Sequence, residues 1–197
     1  MLGMTSIPGY TYDDDGSPPS PVSPADLAEI QASLLWSADD AAALRRAGAI
    51  LLPQTDAILD VWYGFVGATP HLLASFAGTD GQPDGRYLAA VRERFGRWIA
   101  DLCTRDFDDT WLAYQEEIGL RHHTAKKNAT DAVTSAADHV SLRHLLALVV
   151  PITVTIRDFL AAGGADAAEV DVMYHAWFKA VTLSVVLWSR PYSPDLW

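Results

Sequence analysis

Residues 111–123, WLAYQEEIGLRHH, end a helical pattern on a histidine. Counting back from His122 in helical steps of four, four and three residues meets Ile118, Tyr114 and Trp111. These three side chains form one apolar and aromatic face, with the imidazole at its C-terminal end. The spacing predicts a helix that turns this face toward a core or a bound group.

The neighbouring His123 does not share that face, because adjacent helical residues point about 100° apart. One regular helix can therefore present only one of the two imidazoles to a given metal ion. An imidazole on an apolar stripe near a helix end is the arrangement by which helical haem proteins hold iron. A histidine on an apolar face is also commonly a hydrogen-bonded core residue, so the pattern alone leaves both interpretations open.

Motifs for other chemistries are absent from the sequence. The remaining histidines show neither an HExxH motif nor a paired spacing, so a zinc enzyme is not indicated. Cys103 is the only cysteine, which excludes an internal disulfide and a multi-cysteine metal cluster within one chain. Neither a GxSxG elbow nor a glycine-rich phosphate loop occurs. A bound metal would need histidine or carboxylate ligands.

The composition is that of one folded, acidic domain. Half of the 197 residues are apolar, and the formal net charge is −11. This charge argues against nucleic acid and anionic membranes as partners, because both require a basic surface. The first basic residue is Arg45, so a secretory signal is not indicated and we expect a cytoplasmic location. The longest apolar run, residues 145–156, is shorter than the ~20 residues of a transmembrane helix, and no span is expected.

Helical periodicity extends from residue 25 onward, without a strand pattern of useful length, so the predicted class is all-α with one domain over residues 25–197. Residues 1–24 are rich in proline and predict an extended arm. Ile7, Tyr10 and Tyr12 offer it apolar anchors, and a disordered tail is the alternative. The predicted helices cover residues 25–35, 38–49, 53–66, 69–76, 84–103, 108–123, 139–161 and 167–189.

Two of these helices bury different proportions of their surface. Residues 84–103 carry their apolar side chains on one stripe, as expected of an amphipathic core helix. Residues 57–66 are apolar nearly all round. This second helix is therefore either central in the fold or faces a ligand.

Six segments carry a family resemblance: IPGYTY at 7–12, WYGFVG at 62–67, YLAAVR at 87–92, IGLRHH at 118–123, KKN at 126–128 and AWFKA at 176–180. Together, and in this order, they resemble the protoglobins of archaea and bacteria. The resemblance implies a globin fold preceded by an extra N-terminal helix and an arm, one bound haem b, and a homodimer. Because no transmitter domain follows the last helix, we expect a stand-alone globin rather than a globin-coupled sensor.

The resemblance also implies His122 as the proximal iron ligand and an aromatic pocket on the distal side. Many globins have a distal histidine where this chain has Val91, so a hydrogen bond to the bound gas is expected from Tyr63. The alternative is that Tyr63 and its neighbour Trp62 are ordinary core aromatics. The predicted haem-contacting residues are His122, Trp62, Tyr63, Phe76, Val91, Arg94, Phe95, Ile118, Leu148 and Ile152.

Two residues of this set, Arg94 and Leu148, lead to specific expectations about the polarity and the size of the pocket. Arg94 is the expected partner of a haem propionate, because arginine forms strong charge-assisted hydrogen bonds to carboxylates. A solvated surface arginine is the alternative. Leu148 lies where archaeal protoglobins have a larger phenylalanine, so we expect a roomier pocket beside the penultimate helix.

The predicted function is reversible binding of O₂, CO or NO at a His-ligated iron, as a sensor, scavenger or carrier. One alternative is a haem enzyme with nitric oxide dioxygenase or peroxidase-like chemistry, which would need an external reductant. Another is a haem-free signalling module that keeps the globin fold. The homodimer is expected to form through helices 139–161 and 167–189, whose apolar residues include Trp177, Phe178, Val185 and Trp188.

Overall fold

A computed structural model describes residues 7–12, 17–135 and 137–197 of the protein. The all-α prediction is confirmed: the described residues form helices and turns, with two isolated β-bridges and no sheet. The α-helices are α1 Pro24–Ser33, α2 Ala38–Leu51, α3 Thr55–Gly67, α4 Pro70–Leu73, α5 Gly85–Thr104, α6 Asp109–His122, α7 Leu142–Ala147, α8 Val149–Val154, α9 Ile156–Ala162 and α10 Ala167–Ser189.

Short polar side chains set the starts of the main helices. Ser37 accepts a hydrogen bond from the backbone N–H of Asp40, and the Asp40 carboxylate accepts one from the backbone N–H of Ser37. Such reciprocal bonds satisfy donors that the first helical turn leaves free. Asp84, Asp108 and Asp166 accept from the first turns of α5, α6 and α10 in the same position.

The single helix predicted over residues 139–161 is wrong in its start and its continuity. Helical structure begins at Leu142 and is interrupted at Leu148 and Thr155. Pro151 has no backbone N–H, so one hydrogen bond is missing from this stretch. Hydrogen bonds from the Ile152 N–H to the Leu148 carbonyl and from the Thr155 N–H to the Pro151 carbonyl bridge the two interruptions between α7, α8 and α9.

The C-terminal helix α10 lies at the centre of the fold and packs against α2, α6, α8 and α9. Its residues Trp177, Val185 and Trp188 are buried in the core of one chain. The prediction that these three side chains provide surplus apolar surface for a dimer is therefore wrong. Phe178, the fourth residue of that set, is exposed.

The N-terminal segment 7–12 packs onto the helices rather than extending away from them. The Tyr10 hydroxyl donates to the buried carboxylate of Asp101 at 2.7 Å. Tyr12 is buried, and the rings of Tyr10 and Tyr12 both contact the ring of Tyr114 on α6. The apolar anchors proposed for the arm are thus in place at Tyr10 and Tyr12. Residues 1–6 and 13–16 lie outside the described residues.

Two helical stretches are long and apolar enough to cross a membrane by length and composition alone. The first is Leu142–Ala162, and 28% of its most apolar 18-residue segment is buried in the fold. The second is Ala167–Tyr192, and 56% of the corresponding segment is buried. The core helices of water-soluble proteins pass the same test. We expected no membrane span because the longest uninterrupted apolar run covers only residues 145–156. The absence of a span stays a prediction.

Candidate functional site

A large cavity lies between α3, α5, α6, α7, α8 and α10 and is closed on one side by the turns that follow α6. Its empty volume, counted out to the mouth, is about 1300 Å³. Most of the side chains that line it are apolar. All ten residues predicted to contact haem line this one cavity. Helical spacing and family resemblance thus selected residues that converge in space, although their contact with a cofactor stays a prediction.

The C-terminal end of α6 presents His122 to this cavity. The His122 Nδ1 atom lies 2.8 Å from the carbonyl oxygen of Ile118, one turn earlier. Because a carbonyl only accepts, Nδ1 must carry the proton of this bond. Burial lowers the pKa of His122 below its usual value, so the ring is neutral near pH 7 and the proton on Nδ1 is its only one. The Nε2 lone pair is then free, and the described residues give it no hydrogen-bond partner.

Close packing between α6 and α10 holds the imidazole in place. The ring of His122 stacks on the indole of Trp188 at a centroid distance of 5.3 Å. A Cβ built on Gly119 would lie 3.1 Å from the Trp188 backbone, tighter than ordinary side-chain contacts, so glycine allows the two helices to approach here. The Tyr192 hydroxyl lies 2.8 Å from the His122 carbonyl and secures the helix end.

His123 has a different environment, as its helical position predicts. It is not among the residues that line the cavity. Its ring meets the ring of Tyr192 edge-on at 5.1 Å, and its Nδ1 atom accepts a long hydrogen bond of 3.4 Å from the backbone N–H of Ala125. Of the two adjacent imidazoles, only that of His122 borders the cavity.

Aromatic side chains from α3, from α5 and from the short 3-10 turn Ala74–Phe76 form the wall of the cavity that was predicted to be distal. Trp62 meets Phe95 edge-on at a centroid distance of 5.5 Å, and Tyr63 meets Phe76 at 6.4 Å. Val91, on α5, is in the lining and contributes no polar atom. An aromatic cluster of this kind excludes water while leaving room for a flat apolar ligand.

The Tyr63 hydroxyl has no hydrogen-bond partner among the described residues. Burial raises its pKa well above the usual value, so the hydroxyl keeps its proton. Arg92 lies over the Tyr63 ring at 5.8 Å, which helps to hold the ring in position. An unpaired hydroxyl at a cavity wall is available to donate to a ligand, and the alternative in which backbone satisfies it is not observed.

One edge of the cavity is polar, and Arg94 lies there in an ion pair. Its guanidinium donates two hydrogen bonds to the carboxylate of Asp131, at 2.9 and 2.6 Å. The same guanidinium donates to the Pro8 carbonyl at 2.9 Å and so ties the arm to α5. The side chain of Arg94 is only 10% exposed, so it is not a solvated surface residue. Its predicted pairing with a propionate stays a prediction.

Several residues at this edge were not predicted from the sequence. Lys127 is buried and lines the cavity together with Thr130, Asp131 and Arg121. Lys127 belongs to the KKN segment at 126–128, which carried part of the family resemblance without being assigned a role. Asp131 had no comparable signal, because its importance comes from a contact with Arg94, 37 positions away.

The donor set of the site suits a cofactor that brings most of its own metal ligands. No group of three or more His, Cys, Asp or Glu that could hold a metal ion occurs among the described residues. A single free imidazole nitrogen faces a large apolar cavity instead. Haem would fit this arrangement, because it brings its own nitrogen ligands for the iron and would need one further ligand from the protein, which His122 could supply.

Comparison with known proteins agrees with the fold and with the five sequence segments from residue 62 onward, whereas the segment at 7–12 precedes the matched residues. A family model described as Protoglobin matches residues 23–197, which is nearly the whole chain. A search of curated proteins gave no match.

Proposed function

The chain belongs to the protoglobin family, which indicates a globin-type haem protein that binds gases, and on this premise we propose that it holds haem b through His122 and binds O₂, CO or NO reversibly. The observation that carries the proposal is the free Nε2 atom of a neutral imidazole at the wall of an aromatic cavity. When bound, haem supplies an iron with an open coordination position for a diatomic gas.

His122 is suited to ligation by the contacts of its own helix and of α10. The Ile118 carbonyl accepts from Nδ1 and thereby sets the tautomer, as the carbonyl partners of metal-binding histidines commonly do. The stacked Trp188 indole limits rotation of the ring. The imidazole is therefore already oriented before the cofactor arrives.

On the distal side, we assign Tyr63 the role of hydrogen-bond donor to the gas ligand. Its hydroxyl is protonated and has no hydrogen-bond partner in the described part of the chain, and the side chain lies in a cavity wall of aromatic residues. A single donor favours a polar ligand such as O₂ over the less polar CO. Leu148 and Ile152 also line the cavity, and their apolar side chains offer no hydrogen bond.

The arm covers the polar edge of the site in this proposal. The Pro8 carbonyl accepts a hydrogen bond from Arg94, and the ring of Tyr12 contacts the ring of Tyr114. Both of these partners line the cavity. Removing the arm would therefore expose the edge at which the haem carboxylates lie. This arrangement lowers the rate of haem loss and of oxidation by solvent.

We also propose a homodimer that forms through α7 and α8, within the predicted 139–161 stretch, and not through the buried side chains of α10. Leu146, Val150 and Val154 follow one another at spacings of four residues on α7 and α8 and are 49%, 63% and 60% exposed. Residues four apart share one helix face, so these side chains form an exposed apolar stripe. A second copy of the same stripe is the occupant that we propose.

The test of the proposed function is the colour and gas chemistry of the purified protein. We expect a strong Soret band, a five-coordinate ferrous spectrum, and separate spectral changes on adding O₂, CO and NO. Absence of haem after expression with a haem precursor, and failure of the apoprotein to bind added haem, would refute the proposal and favour a haem-free module. Steady turnover with a reductant and NO would instead indicate an enzyme.

A further inference from the structure

The polar edge of the cavity holds three basic side chains, and they differ in how their charges are compensated. Arg94 is paired with Asp131 through two hydrogen bonds. Arg121 donates to Glu117 at 3.0 Å. The third cation, Lys127, has no carboxylate within ion-pair distance among the described residues.

Lys127 is nevertheless deeply buried, with only 3% of its surface exposed. Its ammonium donates to three neutral oxygens: Asn128 Oδ1 at 3.1 Å, Ser135 Oγ at 3.4 Å and the Ala137 carbonyl at 3.0 Å. The ring of Tyr87 lies 5.4 Å from Nζ. These contacts satisfy the donors but leave the positive charge without a neutralising partner.

A buried charge of this kind is expensive unless an opposite charge joins it. Burial lowers the pKa of Lys127 to about 8, and the more distant Asp138 only partly opposes this effect. The side chain is therefore mainly protonated near neutral pH, at a cost that the described residues do not offset. The Lys127 ammonium therefore lies beside the cavity without a counter-ion among the described residues, and a bound ligand could supply one.

We infer that Lys127 is the residue that recognises a carboxylate of the bound porphyrin, in place of the already paired Arg94. The inference rests on the proposed haem function and specifies which side chain binds a carboxylate of the cofactor. Arg94 then acts as a positioning residue, which holds Asp131 and the Pro8 carbonyl of the arm. A carboxylate beside Lys127 takes the place of the long 3.4 Å contact to Ser135 Oγ and forms a charge-assisted hydrogen bond in a setting from which water is excluded.

The experiment compares haem with its dimethyl ester, in which both carboxylates are neutral. Affinities of the apoprotein for the two compounds are measured for the wild type and for Lys127→Met, Lys127→Arg and Lys126→Met. Lys126 is the matched control, because it is adjacent in sequence, more exposed, and already paired with Glu117 at 2.6 Å. Metal-free protoporphyrin and its ester, titrated in parallel, remove any contribution of the His122 bond.

We expect the wild type to prefer the free acid, and Lys127→Met to reduce this preference by at least about tenfold, the size of one charge-assisted hydrogen bond. Lys127→Arg should keep most of the preference, and Lys126→Met all of it. An unchanged ratio in a folded Lys127→Met protein overturns the inference while leaving haem binding intact. If the wild type binds neither compound, the proposed function itself fails.

A second measurement on the wild type keeps the test decisive if Lys127→Met does not fold. The chain contains three lysines, at positions 126, 127 and 179, so their ¹⁵N-labelled ammonium signals can be assigned with few variants. Both compounds should shift the Lys127 signal through the porphyrin ring, but only haem, with its free carboxylates, should raise the pKa of the Lys127 ammonium. Equal pKa changes with haem and ester would overturn the inference.

Discussion

His122 and Trp188 stack ring on ring, with centroids 5.3 Å apart and planes inclined by 15°. The indole is itself fixed, because its Nε1 donates to the buried Gln115 side chain at 2.9 Å. The proposed iron ligand on α6 is thus oriented by the last turn of α10, 66 positions later in the chain. The site depends on the docking of these two helices as much as on the histidine.

Replacing His122 by Ala should leave apoprotein or weakly bound haem, because among the described residues it removes the only imidazole that borders the cavity. Replacing His123 by Ala should keep the haem, since this ring lies against Tyr192 outside the cavity. The Soret absorbance per protein measures both outcomes. Full haem retention with an unchanged ferrous spectrum in His122→Ala would contradict the assignment.

Replacing Tyr63 by Phe should speed O₂ dissociation about fivefold, which corresponds to a hydrogen bond of roughly 1 kcal/mol. CO dissociation should change less, because CO attracts a hydroxyl donor more weakly. Stopped-flow ligand exchange measures both rates. Equal effects on the two gases would show that the hydroxyl does not donate to the ligand.

Deleting residues 1–20 should increase the rates of haem loss and autoxidation, because it removes the contacts of Pro8, Tyr10 and Tyr12 with α5 and α6. Deleting residues 1–6 is the matched control, since it retains the anchored segment 7–12. Transfer of haem to an acceptor globin measures the loss. Unchanged rates in the longer deletion would mean that the arm does not protect the site.

The pair Lys179–Asp40 should contribute to stability in a pH-dependent way. The Lys179 ammonium donates to Asp40 at 2.9 Å and to the Leu35 carbonyl at 2.7 Å, and so joins α10 to the start of α2. Burial raises the pKa of Asp40, but hydrogen bonds from Lys179 and Ser37 outweigh this effect and lower the pKa overall. Lys179→Met should reduce the free energy of unfolding by about 1–3 kcal/mol at pH 7.

The sign of the pH effect follows from this lowered pKa. In the folded protein Asp40 holds its proton less tightly than in the unfolded chain, so its contribution is complete above the usual aspartate pKa. The contribution disappears as the pH falls through the folded value. Urea denaturation across the acid range should show this loss in the wild type and a flatter profile in Asp40→Asn. Arg45→Met, which breaks an exposed pair with Asp106, should change stability by less than about 1 kcal/mol.

Replacing Val150 by Asp should dissociate the proposed homodimer, because it places a charge in the middle of the exposed apolar stripe. Val61→Asp is the control, since Val61 is also exposed but lies on α3. Light scattering at micromolar concentration distinguishes the mass of the dimer from that of the monomer. A monomeric wild type, or a dimer that survives Val150→Asp, would exclude this interface.

Much of the proximal site could be predicted from the sequence because it is built within one helix. The step from Ile118 to His122 is one helical turn, so spacing alone places the imidazole on the apolar face and His123 off it. The predicted helix starts at residues 38 and 108 lie within one residue of the observed starts of α2 and α6, where Ser37 and Asp108 cap the first turn. The aromatic residues of the distal wall followed from the family resemblance.

The outcome for α10 shows where local pattern stops being informative. Its residues Trp177, Phe178, Val185 and Trp188 all look like candidates for a partner surface, yet only Phe178 is exposed. A helix that is apolar on most sides does not reveal which face meets its own core. The exposed stripe on α7 and α8 became apparent only once α10 had been placed beside them.

The sequence by itself determined the all-α class, most helix limits and the fact that His122, and not His123, faces the cavity, because each depends on local helical spacing. Only the tertiary structure decided which charges at the cavity edge are compensated. Arg94 and Asp131 meet across 37 positions, while Lys127 is buried without a carboxylate among the described residues. Ion pairing acts through space and desolvation, so its outcome depends on how the helices and turns come together and not on their order in the chain.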